Sequence, residues 1–207
     1  MHSLSRVLDA LAFVYALLFF PAPFFWIVIH SFIDFWRRFG NRALWVALPL
    51  WTANAAALGL LAHRVYAGRL PRNALTVAIG AALVVAGLGI GHHVHRVFGL
   101  RRLGGLPEVN PARYPGGVVR SGLFARLRHP RYVEYMISFA GWALLTGAPG
   151  NYVLAMATVL MYLIVAPLEE RELRRHYGEE YGAYARAVPR FIPRLWRPAE
   201  TRSGGAA

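Results

Sequence analysis

Cysteine and lysine are both absent from the 207 residues, and acidic side chains number only ten. The missing cysteine excludes disulfides, a thiolate metal site and a cysteine nucleophile. All 23 basic side chains are therefore arginine, and the formal net charge is +13. Charged residues make up only 16% of the chain, whereas 57% are hydrophobic. That hydrophobicity excludes a disordered chain, which needs few apolar residues beside its charge. It also argues against a soluble nucleic-acid binder, because most residues would lack a water-compatible face. Gly-x-Ser-x-Gly, P-loop and His-Glu-x-x-His motifs are lacking too, so hydrolase and ATPase readings have no support. No internal repeat is visible, and Ser203–Ala207 reads as a frayed terminus.

Long apolar runs are abundant. Five stretches approach or reach the 17–25 residues that a helix needs to cross a bilayer: 8–33, 43–62, 74–91, 132–147 and 152–168. They are continuous rather than alternating, which predicts helices. The expected fold is an all-α polytopic membrane bundle of about five spans with a helical cytoplasmic C-terminal segment. Residues 1–95 form the front three spans, 96–131 a connecting loop, and 132–207 a helical hairpin and tail. Pro21 and Pro23 interrupt the first run, leaving one kinked span, a tight hairpin or a signal peptide as its readings. In the third run Gly80, Val84, Gly87 and Gly91 fall on one helical face. That pattern predicts close helix packing, since a dinucleotide loop would need a preceding strand. The short uncharged loop 147–151 predicts an antiparallel hairpin of the last two runs.

The arginines then set the topology. Alternation through five spans puts 19 of the 23 on one side and four on the other. By the positive-inside rule the N-terminus is outside, and the long loop and C-terminus are cytoplasmic. The expected location is the cell inner membrane, with membrane lipids as partners.

Polar chemistry concentrates where the long loop and tail meet at that face. Residues 126–132 read RLRHPRY, and residues 169–181 read EERELRRHYGEEY. The hairpin brings both stretches together. Bland readings are equally available. Arg128 and Arg131 can snorkel to headgroups, Glu170 and Arg174 can pair along a solvated helix, and Tyr181 and Tyr184 can be interfacial. His92, His93 and His95 supply too few ligands for a metal site without a second cluster, so no metal is expected.

The order and spacing of RHPRY (128–132), Gly141, EEREL (169–173), HYGEEYGAY (176–184) and VPRFIP (188–193) resemble the isoprenylcysteine carboxyl methyltransferase family. That wider group of integral-membrane methyltransferases includes phospholipid N-methyltransferases. The likeness covers about 122–193, the expected catalytic region. It implies S-adenosylmethionine as methyl donor and a lipophilic, lipid-like acceptor such as an isoprenylcysteine carboxylate. By the same resemblance, Arg128, His129, Pro130, Tyr132, Gly141, Glu169, Glu170, Tyr181 and Tyr184 bind the cofactor. Arg128 would grip its carboxylate, the glutamates its ribose and the tyrosines its sulfonium or adenine. Arg190 and Glu134 are the candidates for catalysis at the acceptor. The pattern departs at Glu134, where the family has glycine; an amine acceptor would need a base such as Glu134 or His129. Two other readings stand beside this one: a membrane reductase of the sterol-reductase type, and a scaffold binding anionic lipid.

Overall fold

A computed structural model describes residues 2–193, and every regular element within them is helical. Arg194, Arg197, Arg202 and the expected frayed end lie outside the described residues. In order these are α1 (His2–Phe19), α2 (Ala22–Ser31), α3 (Ile33–Arg37), a 3-10 helix (Gly40–Val46), α4 (Ala47–Val65), α5 (Ala74–Leu103), α6 (Leu106–Val109), a second 3-10 helix (Gly122–Ala125), α7 (Pro130–Thr146) and α8 (Pro149–Ala187).

The first run is one kinked helix. Pro21 keeps a right-handed helical backbone, with φ −71° and ψ −18°, and Phe25 N donates to its carbonyl across the break. Four stretches are long and apolar enough to cross a membrane: Leu4–Ser31, Gly40–Val65, Ala74–Val109 and Pro149–Ala187. The fifth expected span is shorter. At 17 residues α7 extends only about 26 Å, less than the ~30 Å hydrocarbon core.

α7 fills the middle of the bundle, where it makes the most extensive helix–helix interface with α5 and packs next on α8. The glycine face explains that closeness. A Cβ on Gly80 would lie 2.9 Å from the Gly141 carbonyl, and one on Gly91 would lie 2.5 Å from a Glu134 carboxylate oxygen. Gly87 meets Ser138 in the same seam. Small residues let two backbones approach and gain dispersion contact that lipid cannot supply. The predicted hairpin turn is present: Gly147 takes φ +64° and Pro149 opens α8 at its first turn, where its missing N–H costs nothing.

The outward faces stay apolar. Trp45, Leu48, Leu60, Leu75, Val85, Leu88, Val153 and Met156 are all exposed in the isolated chain, as lipid-facing side chains are. At one end of the bundle Asp9 pairs with Arg69, and Leu70 N donates to the Gly147 carbonyl at 2.8 Å. At the other, Arg37 pairs with Glu172, and Arg131 Nη1 donates to the Leu103 carbonyl at 2.8 Å. Successive runs therefore alternate ends, and the first crosses once. The connecting segment 96–131 contains the end of α5, α6 and the second 3-10 helix, with a stretch without regular structure over 110–121. All the polar chemistry below sits at this second end.

Candidate functional site

The RHPRY stretch caps α7, and α8 runs past it. Arg128 N donates to the Pro189 carbonyl at 2.9 Å, and His129 N to the Arg190 carbonyl at 3.2 Å. This short backbone pairing staples the two motif segments together. Pro130 is the first residue of α7, so the chain must turn at His129, which points its buried ring between Glu169 and Glu170.

Adjacent glutamates have different surroundings because neighbouring positions on a helix face about 100° apart. Glu170 is fully buried. Arg190 grips it in a two-pronged pair, Nε to Oε1 and Nη2 to Oε2, both 2.8 Å. Arg128 Nη2 lies 3.0 Å from Oε1, His129 Nε2 also 3.0 Å, and Arg174 Nη2 3.5 Å from Oε2. Glu169 reaches outward. Its Oε2 accepts from the Tyr132 hydroxyl at 2.6 Å and lies 3.2 Å from His129 Nδ1. Burial alone would lower the His129 pKa; the hydrogen bonds and charges of Glu169, then Glu170, outweigh it and hold the ring above its ordinary value.

Beside this cluster lies a cleft in two adjoining chambers. The outer chamber takes Val118, Leu173, Tyr177, Tyr181 and Tyr184 in its lining. The inner is completed by Trp26, His30, Pro130, Arg131 and Tyr132. Arg102, Glu108, Phe124, Arg128, His129 and Glu169 line both. Phe98 and Phe124 stack at 4.6 Å, and the Arg102 guanidinium lies 4.8 Å over the Phe98 ring. The Tyr184 hydroxyl donates to the Phe124 carbonyl at 2.7 Å, which ties the end of α8 across the outer chamber.

Of the residues singled out from sequence, Arg128, His129, Pro130, Tyr132, Glu169, Tyr181 and Tyr184 meet at this cleft. Four do not line it. Glu170 is enclosed by cations. Arg190 directs its guanidinium onto Glu170, away from any acceptor position. Gly141 faces α5, where a Cβ would lie 2.8 Å from the Gly80 carbonyl, so it serves helix contact. Glu134 faces Gly91 on that same seam. The bare Gly91 backbone leaves room for the Glu134 carboxylate, from which an added Cβ would lie only 2.5 Å away. Arg128 also differs from expectation. Its Nη groups are taken by Glu170 and the Ala185 carbonyl, and only Nε remains buried without a partner.

Sequence reasoning missed Trp26, His30, Phe98, Arg102 and Glu108. Arg102 is indistinguishable in sequence from an arginine that marks topology. His93, from the histidine cluster, accepts from Leu123 N at 3.2 Å and so anchors the second 3-10 helix. Among the described residues no group of three or more His, Asp or Glu side chains is arranged to hold a metal ion.

The family model for phospholipid methyltransferases matches residues 75–180, half the chain, from α5 through the cleft segments of α8. The chain belongs to the phospholipid methyltransferase family. The motif resemblance pointed to this same wider group of membrane methyltransferases. Curated relatives of this family member include a methanethiol S-methyltransferase of Pseudomonas deceptionensis, 31% identical over 56% of this chain and 42% of the relative. Another methanethiol S-methyltransferase, from Crocosphaera subtropica, is 37% identical over 32% of this chain and 26% of its own length. A cobalt-zinc-cadmium resistance protein of Cupriavidus metallidurans is 38% identical over 38% of this chain and 36% of its own. The matches thus span less than half the length of these curated relatives. No solved structure matches the chain.

Proposed function

We propose that this integral-membrane protein transfers a methyl group from S-adenosylmethionine to a small thiol. The observation that carries the reading is the two-chamber cleft where RHPRY and Glu169, both within the family-matched segment, meet Tyr181 and Tyr184 just beyond it. When bound, the donor supplies an electrophilic methyl group on a sulfonium.

The polar atoms around the outer chamber suit that donor. Arg102 has no carboxylate partner among the described residues and lines the same chamber as Arg128, whose Nε is unpartnered, so the two can hold the donor's carboxylate. Glu169 spends Oε2 on Tyr132 and His129 and has Oε1 for a ribose hydroxyl. Tyr181 offers a buried, unpartnered hydroxyl and, with Tyr177 and Tyr184, ring faces for adenine or the sulfonium.

The inner chamber suits a small acceptor. Tyr132, Tyr162 and Tyr135 stack behind it, with Tyr132–Tyr162 ring centres 4.4 Å apart and Tyr162 fully buried. The names of the methanethiol-methylating relatives support the same class. We also infer that the cleft end is cytoplasmic, because 19 of 23 arginines collect there in sequence.

Titration calorimetry of the detergent-solubilised protein with S-adenosylhomocysteine is the primary test. Binding at one site per chain is expected; no heat from demonstrably folded protein would overturn the proposal. For orientation, cysteines introduced separately at Ala67 and Gly117 should give opposite results with an impermeant thiol reagent on intact cells. Labelling at Gly117 alone would invert the assignment.

A further inference from the structure

The inner chamber contains a second set of polar groups, His30 and the motif's Arg131, that donor binding does not use. His30 on α2 is 7% exposed, and its Nδ1 is buried without a hydrogen-bond partner among the described residues. Its ring stacks on Trp26 at 5.3 Å, 21° from parallel. On the same indole lies Arg131, with Cζ 5.9 Å from the ring centre and 5.7 Å from that of Tyr135. Arg131 Nε donates to the Tyr135 hydroxyl at 3.1 Å and Nη1 to the Leu103 carbonyl. Among the described residues no carboxylate pairs with this guanidinium, whereas Glu170 alone draws four cations. A half-buried cation without a carboxylate partner and an imidazole with one unpartnered nitrogen, both lining the inner chamber, suit an anion that forms during turnover.

We propose that His30 is the base that deprotonates a thiol acceptor and that Arg131, laid against Trp26, holds the resulting thiolate. This rests on the methyltransferase reading and specifies its acceptor half. The thiolate, not the thiol, is the effective nucleophile, and an alkyl thiol is mostly protonated at neutral pH. In the step, the S–H bond breaks, its proton goes to His30 Nδ1 and its electron pair stays on sulfur. That pair forms the bond to the donor's methyl carbon as the carbon–sulfonium bond breaks, its own pair passing to the departing sulfur. His30 then releases its proton to water at the cleft mouth.

Other bases are less suited. Both ring nitrogens of His129 already face carboxylates, Glu134 lies in the α5–α7 seam, and Glu169 is tied to Tyr132. Glu108 has a free Oε2 in both chambers. A protonated carboxyl is neutral, however, whereas a protonated imidazole beside the new thiolate is an attractive counterion.

The deciding experiment compares two thiols of similar size and different acidity, ethanethiol and trifluoroethanethiol. In His30→Gln, kcat/KM for ethanethiol should fall roughly 100-fold, the usual size of a general-base contribution. The acidic thiol, ionised to a far greater extent at the same pH, should lose less than about tenfold by the same reasoning. Equal losses for both would refute the base assignment. So would finding the acidity-dependent loss in Glu108→Gln instead.

A second measurement needs no turnover. Thiocyanate, a soft anion standing for the thiolate, should quench tryptophan fluorescence saturably without donor. Arg131→Gln should abolish the saturable part and Arg131→Lys weaken it; unchanged affinity in Arg131→Gln overturns the anion site. S-adenosylhomocysteine binding separates the levels. Wild-type protein that fails to bind it removes the methyltransferase reading itself. Protein that binds it yet methylates neither thiol removes the thiol acceptor and this proposal with it.

Discussion

Two polar regions sit within one turn of each other at the cleft end and are built on opposite terms. Around Glu170 every partner is supplied: one buried carboxylate, two prongs from Arg190, and single contacts from Arg128, His129 and Arg174. Around the chambers, partners are left over: Arg128 Nε, His30 Nδ1, Tyr181 Oη and Glu108 Oε2 are buried and unpaired. Buried polar groups are normally satisfied, and leaving one bare costs about 1–3 kcal/mol. A closed network of ions therefore reads as scaffold, and a row of open valences reads as the place a ligand completes.

The sharpest way to break this contrast is Glu170→Ala. It leaves at least three cations facing an empty buried position and should destabilise the fold by about 3–5 kcal/mol. Thermal melting in detergent reads the loss; a melting point close to wild type would mean the network is not structural. The adjacent Glu169→Gln should do the converse. The fold should survive, with S-adenosylhomocysteine affinity falling roughly 10- to 100-fold, the worth of one hydrogen bond to a charged group. Arg102→Ala should resemble it, and calorimetry that finds either variant unchanged removes that residue from the donor site.

A smaller effect separates the α5–α7 seam from the cleft. Gly141→Ala should cost about 1–3 kcal/mol of stability by overpacking and leave donor affinity alone. Gly89→Ala, on the same α5 with nothing within 4 Å of its Cβ position, should be silent. Equal destabilisation by both would undo the seam argument.

The smallest effect is pH-dependent. His129 has its pKa raised in the folded protein, so its contribution to stability is complete below the ordinary value of 6.5 and is lost as pH rises through the folded value. Wild-type thermal stability should therefore decline across that window more steeply than that of His129→Gln. Parallel slopes would show that the imidazole is not protonated between the two glutamates.

Residues that repeat with a helical period were legible in sequence. Gly80, Val84, Gly87 and Gly91 announced a packed face because spacing alone defines it, and the 147–151 loop announced its hairpin through its shortness and lack of charge. The meeting of RHPRY with the tail followed from that hairpin. What spacing could not give was direction. Glu169 and Glu170 are the same residue type side by side, and only the helix's rotational setting decides which one faces four cations. Gly141 fits a cofactor motif as well as a helix contact until Gly80 is seen against it. Trp26 and His30 carried no motif, since their importance comes from a front helix folding over the back half of the chain.

One consequence follows from α8, which runs from the hairpin turn to the cleft. Asn151 and Glu169 are 18 positions apart, about 27 Å of helix, close to the thickness of the hydrocarbon layer. The helix works as a depth gauge. Under the proposed function, it sets the chemistry at the boundary where an apolar acceptor would leave the lipid and the charged donor would arrive from water. An acceptor reaching that boundary is supplied at its concentration in the bilayer, so turnover across a series of thiols should follow oil–water partitioning rather than solubility.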